Sequence, residues 1–89
     1  MGSRQVKNMK IIGEIPNPSC KITLYSWNSK YIIKIEKGLL EQVYKVSEFD
    51  VAGEDELKDM LSESFIDKVM ARFEEMGRDF EMALESVED

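Results

Sequence analysis

Residues 20–46, CKITLYSWNSKYIIKIEKGLLEQVYKV, decide the fold. Three β-prone runs, 20–27, 30–36 and 39–46, alternate apolar and polar residues, with Asn28-Ser29 and Lys37-Gly38 between them as turns. A period of two marks a strand with one buried face, and two-residue connections join only antiparallel neighbours. Taking both turns as two-residue loops sets a register. Ile22 falls opposite Ile35, Leu24 opposite Ile33 and Ser26 opposite Tyr31, while Leu40, Gln42 and Tyr44 fall opposite Ile35, Ile33 and Tyr31. That is the core face. On the other face Lys21 meets Glu36, and Lys34 meets Thr23 and Glu41. Opposite charges paired across strands contribute about 0.2–1 kcal/mol each. A slip of one residue would turn the isoleucines outward, so the pattern specifies its pairing strongly.

Toward the N-terminus, residues 10–15 form a further strand, closed by Pro16-Asn17-Pro18-Ser19 with its two prolines that cannot donate to a ladder. Met1 to Asn8 is polar and reads as a disordered leader or a cloning remnant, residues 1–8, outside the fold. Toward the C-terminus the character changes after Ser47. A Gly53 junction leads into a short acidic helix, 54–61, with Leu57, Met60 and Leu61 as its buried side. A long helix follows over 65–87, with Ser64 as its expected N-cap and Asp67 completing a capping-box-like pair. Glu81, Glu85 and Asp89 repel down one side and should fray its last turn.

The expected architecture is α+β: one domain over residues 9–89, with an antiparallel meander of three or four strands (9–47) covered on one face by the two helices. The apolar residues of the long helix, Ile66, Val69, Phe73, Met76, Phe80, Ala83 and Val87, recur at heptad spacing. At 1.5 Å per residue this helix is roughly 35 Å long, whereas a seven-residue strand reaches only about 23 Å. The stripe therefore outruns the sheet. Gly77 interrupts the helix beside Met76, and is expected to be tolerated there rather than required.

An 89-residue chain with 43% hydrophobic residues is long enough for one core, but domains this small are commonly reinforced by a disulfide, a metal or association. Cys20 is the only cysteine and histidine is absent, so an internal disulfide is excluded and no zinc site is expected. Association with a second copy is the remaining reinforcement. The candidate interface is Tyr25, Trp27, Ile32 and Val43 on the outer sheet face, with Met76, Phe80, Ala83 and Val87 on the long helix. No apolar run approaches the length of a membrane span and residues 1–8 lack the apolar core of a signal peptide, so with its single thiol the chain is expected in the cytoplasm.

Charge divides with structure. Residues 1–46 hold eight Lys or Arg against three Glu, and residues 47–89 hold four against fifteen, within a net charge of −6. A basic sheet carrying Lys21, Tyr25, Trp27, Lys30 and Lys34 has the ingredients of a single-strand nucleic-acid binder. The acidic helices oppose a polyanion, however, and several of these lysines have glutamate partners, so nucleic acid is a secondary reading.

Catalysis finds little support. Without histidine no side chain has an ordinary pKa near neutrality, and Cys20 has no base nearby in sequence. Glu54, Asp55, Glu56 and Asp59 lack the spacing of a calcium loop, and Gly13, Gly38 and Gly53 are too isolated to cradle phosphate. No catalytic, cofactor-binding or metal-binding residue is assigned. Gln42 on the core face needs a hydrogen-bond partner, and with Tyr44 it marks a candidate pocket between sheet and helices.

The segments IPNPSCKIT (15–23), SWNSKYIIK (26–34) and GLLEQ (38–42) resemble a family of small bacterial proteins of unknown role with the pattern IPxPxCKIT, SWNxKYxIK and GLLEQ followed by a helical tail. The resemblance implies a stand-alone domain of sheet and helix and carries over no catalytic residue. Together these readings point to an interaction module more than to an enzyme, with a small-ligand-binding protein or enzyme using the sheet-helix pocket as a further alternative.

Overall fold

A computed structural model of the chain describes residues 9–87. The expected disordered leader, residues 1–8, and Asp89 lie outside them. Four antiparallel strands, β1 (Lys10–Ile15), β2 (Lys21–Trp27), β3 (Lys30–Lys37) and β4 (Leu40–Ser47), form one sheet in the order β1-β2-β3-β4. A 3-10 turn, Glu48–Asp50, leads to α1 (Glu54–Met60) and α2 (Glu63–Ser86). The fold is α+β, a meander with two helices on one face.

The β2–β3 pairing runs from Lys21 opposite Glu36 to Trp27 opposite Lys30, as the alternation requires. Its turn residues both have positive φ, Asn28 at 55° and Ser29 at 62°. Two left-handed residues make the turn whose twist matches that of the flanking strands. Serine is a costly occupant of that region, so Ser29→Gly is expected to stabilise the domain by about 0.5–1 kcal/mol in urea denaturation.

The β3–β4 pairing differs from the expectation. The turn is Gly38-Leu39 rather than Lys37-Gly38, so Lys37 pairs with Leu40, Ile35 with Gln42, Ile33 with Tyr44 and Tyr31 with Val46. Only Gly38 there has a positive φ, 61°, and a hairpin turn with glycine first needs it in the first central position. The shift is two residues, so every side chain keeps its face. It does place Glu36 directly opposite Glu41. Lys34 relieves this repulsion, reaching Glu36 at 3.7 Å and Glu41 at 3.8 Å.

In β1, Ile11 pairs with Tyr25 and Gly13 with Leu24, leaving Ile12 as an extra residue. This bulge lets Ile11 share the outer face with Tyr25 while Ile12 and Ile15 pack against the core. The core joins Ile22, Leu24, Ile33 and Ile35 of the sheet to Leu57 of α1 and Ile66, Val69 and Phe73 of α2.

Helix α2 begins two residues earlier than expected. Ser62, not Ser64, is its N-cap, accepting the Phe65 N–H at 3.2 Å, so the expected pairing of Ser64 with Asp67 does not form the cap. The earlier start sets Phe65 edge-on to Tyr44, with ring centroids 5.5 Å apart. The helix is regular through Ser86, whose hydroxyl donates to Ala83 O at 2.7 Å, and Asp89, the last of the acidic row, lies outside the described residues.

Gly77 lies over β4, where an added Cβ would sit 3.8 Å from Leu40 Cδ1, an ordinary contact. Close approach therefore does not demand glycine. Gly77→Ala is expected to raise stability by up to about 1 kcal/mol, read as a higher urea midpoint with an unchanged slope.

Candidate functional site

The pocket read from Gln42 and Tyr44 resolves into a clamp. The Tyr44 hydroxyl donates to Gln42 Oε1 at 2.8 Å, and Gln42 Nε2 donates to the Val69 carbonyl of α2 at 3.0 Å. Gln42 is thereby consumed in joining sheet to helix. Gln42→Leu is expected to cost about 1–2 kcal/mol, because Tyr44 loses a partner in a half-buried place. Urea denaturation of Gln42→Leu beside Tyr44→Phe measures it. Next to the clamp, Tyr44, Ile33, Met60, Leu61 and Phe65 border an open apolar groove of about 480 Å³, which Gln42 does not line. No charged side chain other than Lys45 borders it.

Cys20 is a free, half-buried cysteine whose Sγ lies 3.6 Å from Asn17 Oδ1. Burial pushes its thiol up from the ordinary value, and the nearby Lys37 ammonium offsets this only in part. A raised pKa leaves less thiolate at neutral pH, the opposite of an activated nucleophile. Among the described residues no three His, Cys, Asp or Glu side chains converge on a point that could hold a metal, and no helix is long and apolar enough to cross a membrane.

Two apolar surfaces remain. The first is on the outer sheet face, where the side chains of Tyr25, Ile32 and Val43 share one side with Lys21, Trp27, Lys30 and Lys34. The two-residue shift sets Val43 beside Lys34 and Lys45 beside Ile32, so the apolar row runs diagonally instead of straight across. Met9, Ile11, Tyr25, Ile32 and Val43, with Lys34 and Glu41, line a groove of about 440 Å³ along that diagonal. Ile32 is its floor at 5% exposed, whereas Ile11 (65%) and Val43 (48%) stand at its sides. Trp27 lies at the far end of β2, half-buried, and does not line it. Ile11 and Met9 escape a reading based on alternation because the bulge inverts the phase of β1. Gly13 after two isoleucines was the available signal.

The second surface is the distal part of α2. Ile66, Val69 and Phe73 are buried and Met76 is half-buried against the core, but Phe80, Ala83 and Val87 are exposed. Gly77 meets Leu40 at the start of β4, and no residue of α2 beyond it packs against the core. The described residues together measure 50 Å in their longest dimension, with a radius of gyration of 15.3 Å against about 12 Å for a compact chain of this length, as a helix longer than its sheet requires. Leu84, 45% exposed, joins the stripe although strict heptad spacing omits it. A straight helix drifts about 20° per heptad, which brings the residue four after Phe80 onto the same side. Comparison with family models, curated proteins and solved structures finds no match for this chain.

Proposed function

We propose that this chain is a non-enzymatic interaction module that works as a homodimer, with the projecting part of α2 as its partner surface. One observation carries the reading: an apolar stripe that is core as far as Phe73 continues onto solvent at Phe80 (50% exposed), Leu84 and Val87 (78%). A helix ordinarily turns polar where its cover ends, and this one does not. The shortage of core in so small a domain supports the same reading. A lone cysteine that forms no internal disulfide agrees with a reducing compartment such as the cytoplasm.

Sedimentation equilibrium over a wide concentration range, at low and moderate salt, tests it. The expected result is a concentration-dependent dimer that survives added salt, because burial of apolar surface is not screened. A protein that stays monomeric at high micromolar concentration overturns the reading. A dimer that dissociates with salt replaces the apolar stripe by contact between the basic sheet and the acidic helix.

A further inference from the structure

We infer that the free edge of β4 pairs antiparallel with the same edge of a second copy, about a two-fold axis at Val43, so that the two four-stranded sheets become one. The inference rests on the self-association proposed above and supplies a contact that the stripe lacks. A fully buried Phe contributes about 150–250 Å², so half-exposed Phe80 with Leu84 and Val87 offers roughly 300 Å², far below the ~800 Å² per partner of a stable interface.

In the order β1-β2-β3-β4 the sheet has two edges, and they differ. β1 is six residues long and bulged at Ile12, both common guards of an edge. β4 has neither guard. It runs eight residues in unbroken register with β3 and holds no proline. The Glu48 N–H donates to Ser29 O at 3.1 Å, which continues that register and gives its phase: the even-numbered residues of β4 turn their N–H and C=O groups toward β3. Glu41, Val43 and Lys45 therefore aim theirs outward, and among the described residues no group pairs with them. Such a row is a template for another strand.

Charge selects the occupant and the register. Reversed about Val43, the strand sets Glu41 opposite Lys45 of the second copy and Lys45 opposite its Glu41, with Val43 against Val43 between them. Outward-facing residues pair only with one another, so every other register differs by two residues or a multiple of two. A shift of two puts Glu41 opposite Val43 or Ser47 and ends both charge pairs. A shift of four sets Glu41 against Glu41 or Lys45 against Lys45. Each residue meets its counterpart reciprocally, the closed arrangement of most homodimers.

The helices leave room for the pairing. Ile66 and Met70 border Ile15 and Ile22 while Val69 holds Gln42, so this stretch of α2 runs near β3, one strand in from the edge. On a strand spacing of about 4.8 Å, two such stretches stand about 14 Å apart across the axis, beyond the roughly 8–10 Å of helices in contact. The apolar groove beside Tyr44 and Phe65 opens at the same seam. Lys45 borders it although its side chain belongs to the outer face, so the groove reaches the edge of β4. In the paired register Leu40 of the second copy falls opposite Val46, at the mouth of that groove.

An exchange of charges tests the inference. Glu41 and Lys45 are exposed, so Glu41→Lys and Lys45→Glu leave the core untouched. Each variant alone meets its own like charge across the axis, and its homodimer is expected to be at least about tenfold weaker than that of the unaltered protein in sedimentation equilibrium. Mixed, the two chains restore both opposite pairs, and a heterodimer tighter than either homodimer is expected. In the unaltered protein, amide hydrogen exchange at Val43 and Lys45 should slow as rising concentration fills the dimer. Variants that dimerise as tightly as the unaltered protein, a mixture no tighter than its parts, or edge amides that exchange equally fast in monomer and dimer each overturn the inference and leave the stripe as the partner surface. A dimer that obeys the charge exchange but is indifferent to Phe80→Glu overturns the stripe and keeps the edge. A chain that is monomeric at high micromolar concentration overturns both.

Discussion

Phe73→Ala is expected to cost about 3–5 kcal/mol, the range for removing a buried aromatic ring. Phe73 is 3% exposed and joins Val69 and Ile66 in fastening α2 to Ile22, Leu24, Ile33 and Ile35 of the sheet. Loss of the ring leaves a cavity that one helix lying over a flat sheet closes only in part. Domains have only about 5–15 kcal/mol of stability, and small ones sit low in that range. The variant should therefore be largely unfolded at 37 °C. In a domain of this size each kcal/mol moves Tm by about 4–8 °C, so a fall of at least ~12 °C is expected in a thermal melt followed by circular dichroism. Phe80→Ala, measured at a concentration where the protein is monomeric, is the control. Its ring is half in solvent past the sheet, and the expected change is within about 0.5 kcal/mol. Equal losses for the two substitutions would mean that α2 is docked along its whole length.

Phe80→Glu is expected to weaken the proposed homodimer severely while leaving the monomer folded. A carboxylate in the middle of the stripe removes the largest exposed apolar side chain of the projection and places a charge where an interface would desolvate it. An aromatic anchor is commonly worth 2 kcal/mol or more, so dissociation should strengthen by at least ~30-fold, read in sedimentation equilibrium against the unaltered protein. Far-ultraviolet circular dichroism and the urea midpoint of the monomer should not move, because the Phe73 anchor is untouched. A dimer of unchanged strength would take the projection out of the interface.

The two results bear on different parts of one helix, and they separate what builds the domain from what it offers to others. Heptad spacing alone did not divide them, since Ile66 to Val87 repeats without interruption in the sequence. The division falls where β4 begins, at Leu40 beneath Gly77. Likewise, a polar residue on the core face announced only that a partner must exist. That the Gln42 partner is the carbonyl of Val69, in the middle of α2, depends on how the helix lies across the sheet.

By itself the sequence determined the strands, their antiparallel order and which side chains of β2, β3 and β4 share a face, because those follow from a period of two and from turns too short to cross over. It also determined that two helices follow and that the second is longer than any strand. Tertiary structure decided the rest. Gly38, as the one residue of its turn with positive φ, chose between two β3–β4 registers that bury the same face, a choice alternation cannot make. The bulge at Ile12 sent Ile11 outward and completed the groove with Met9. Packing of Phe65 on Tyr44 accompanies the start of α2 at Glu63 with Ser62 as its cap. Periodicity records which side of an element is apolar, and only the arrangement of neighbours in space settles whether that side is covered.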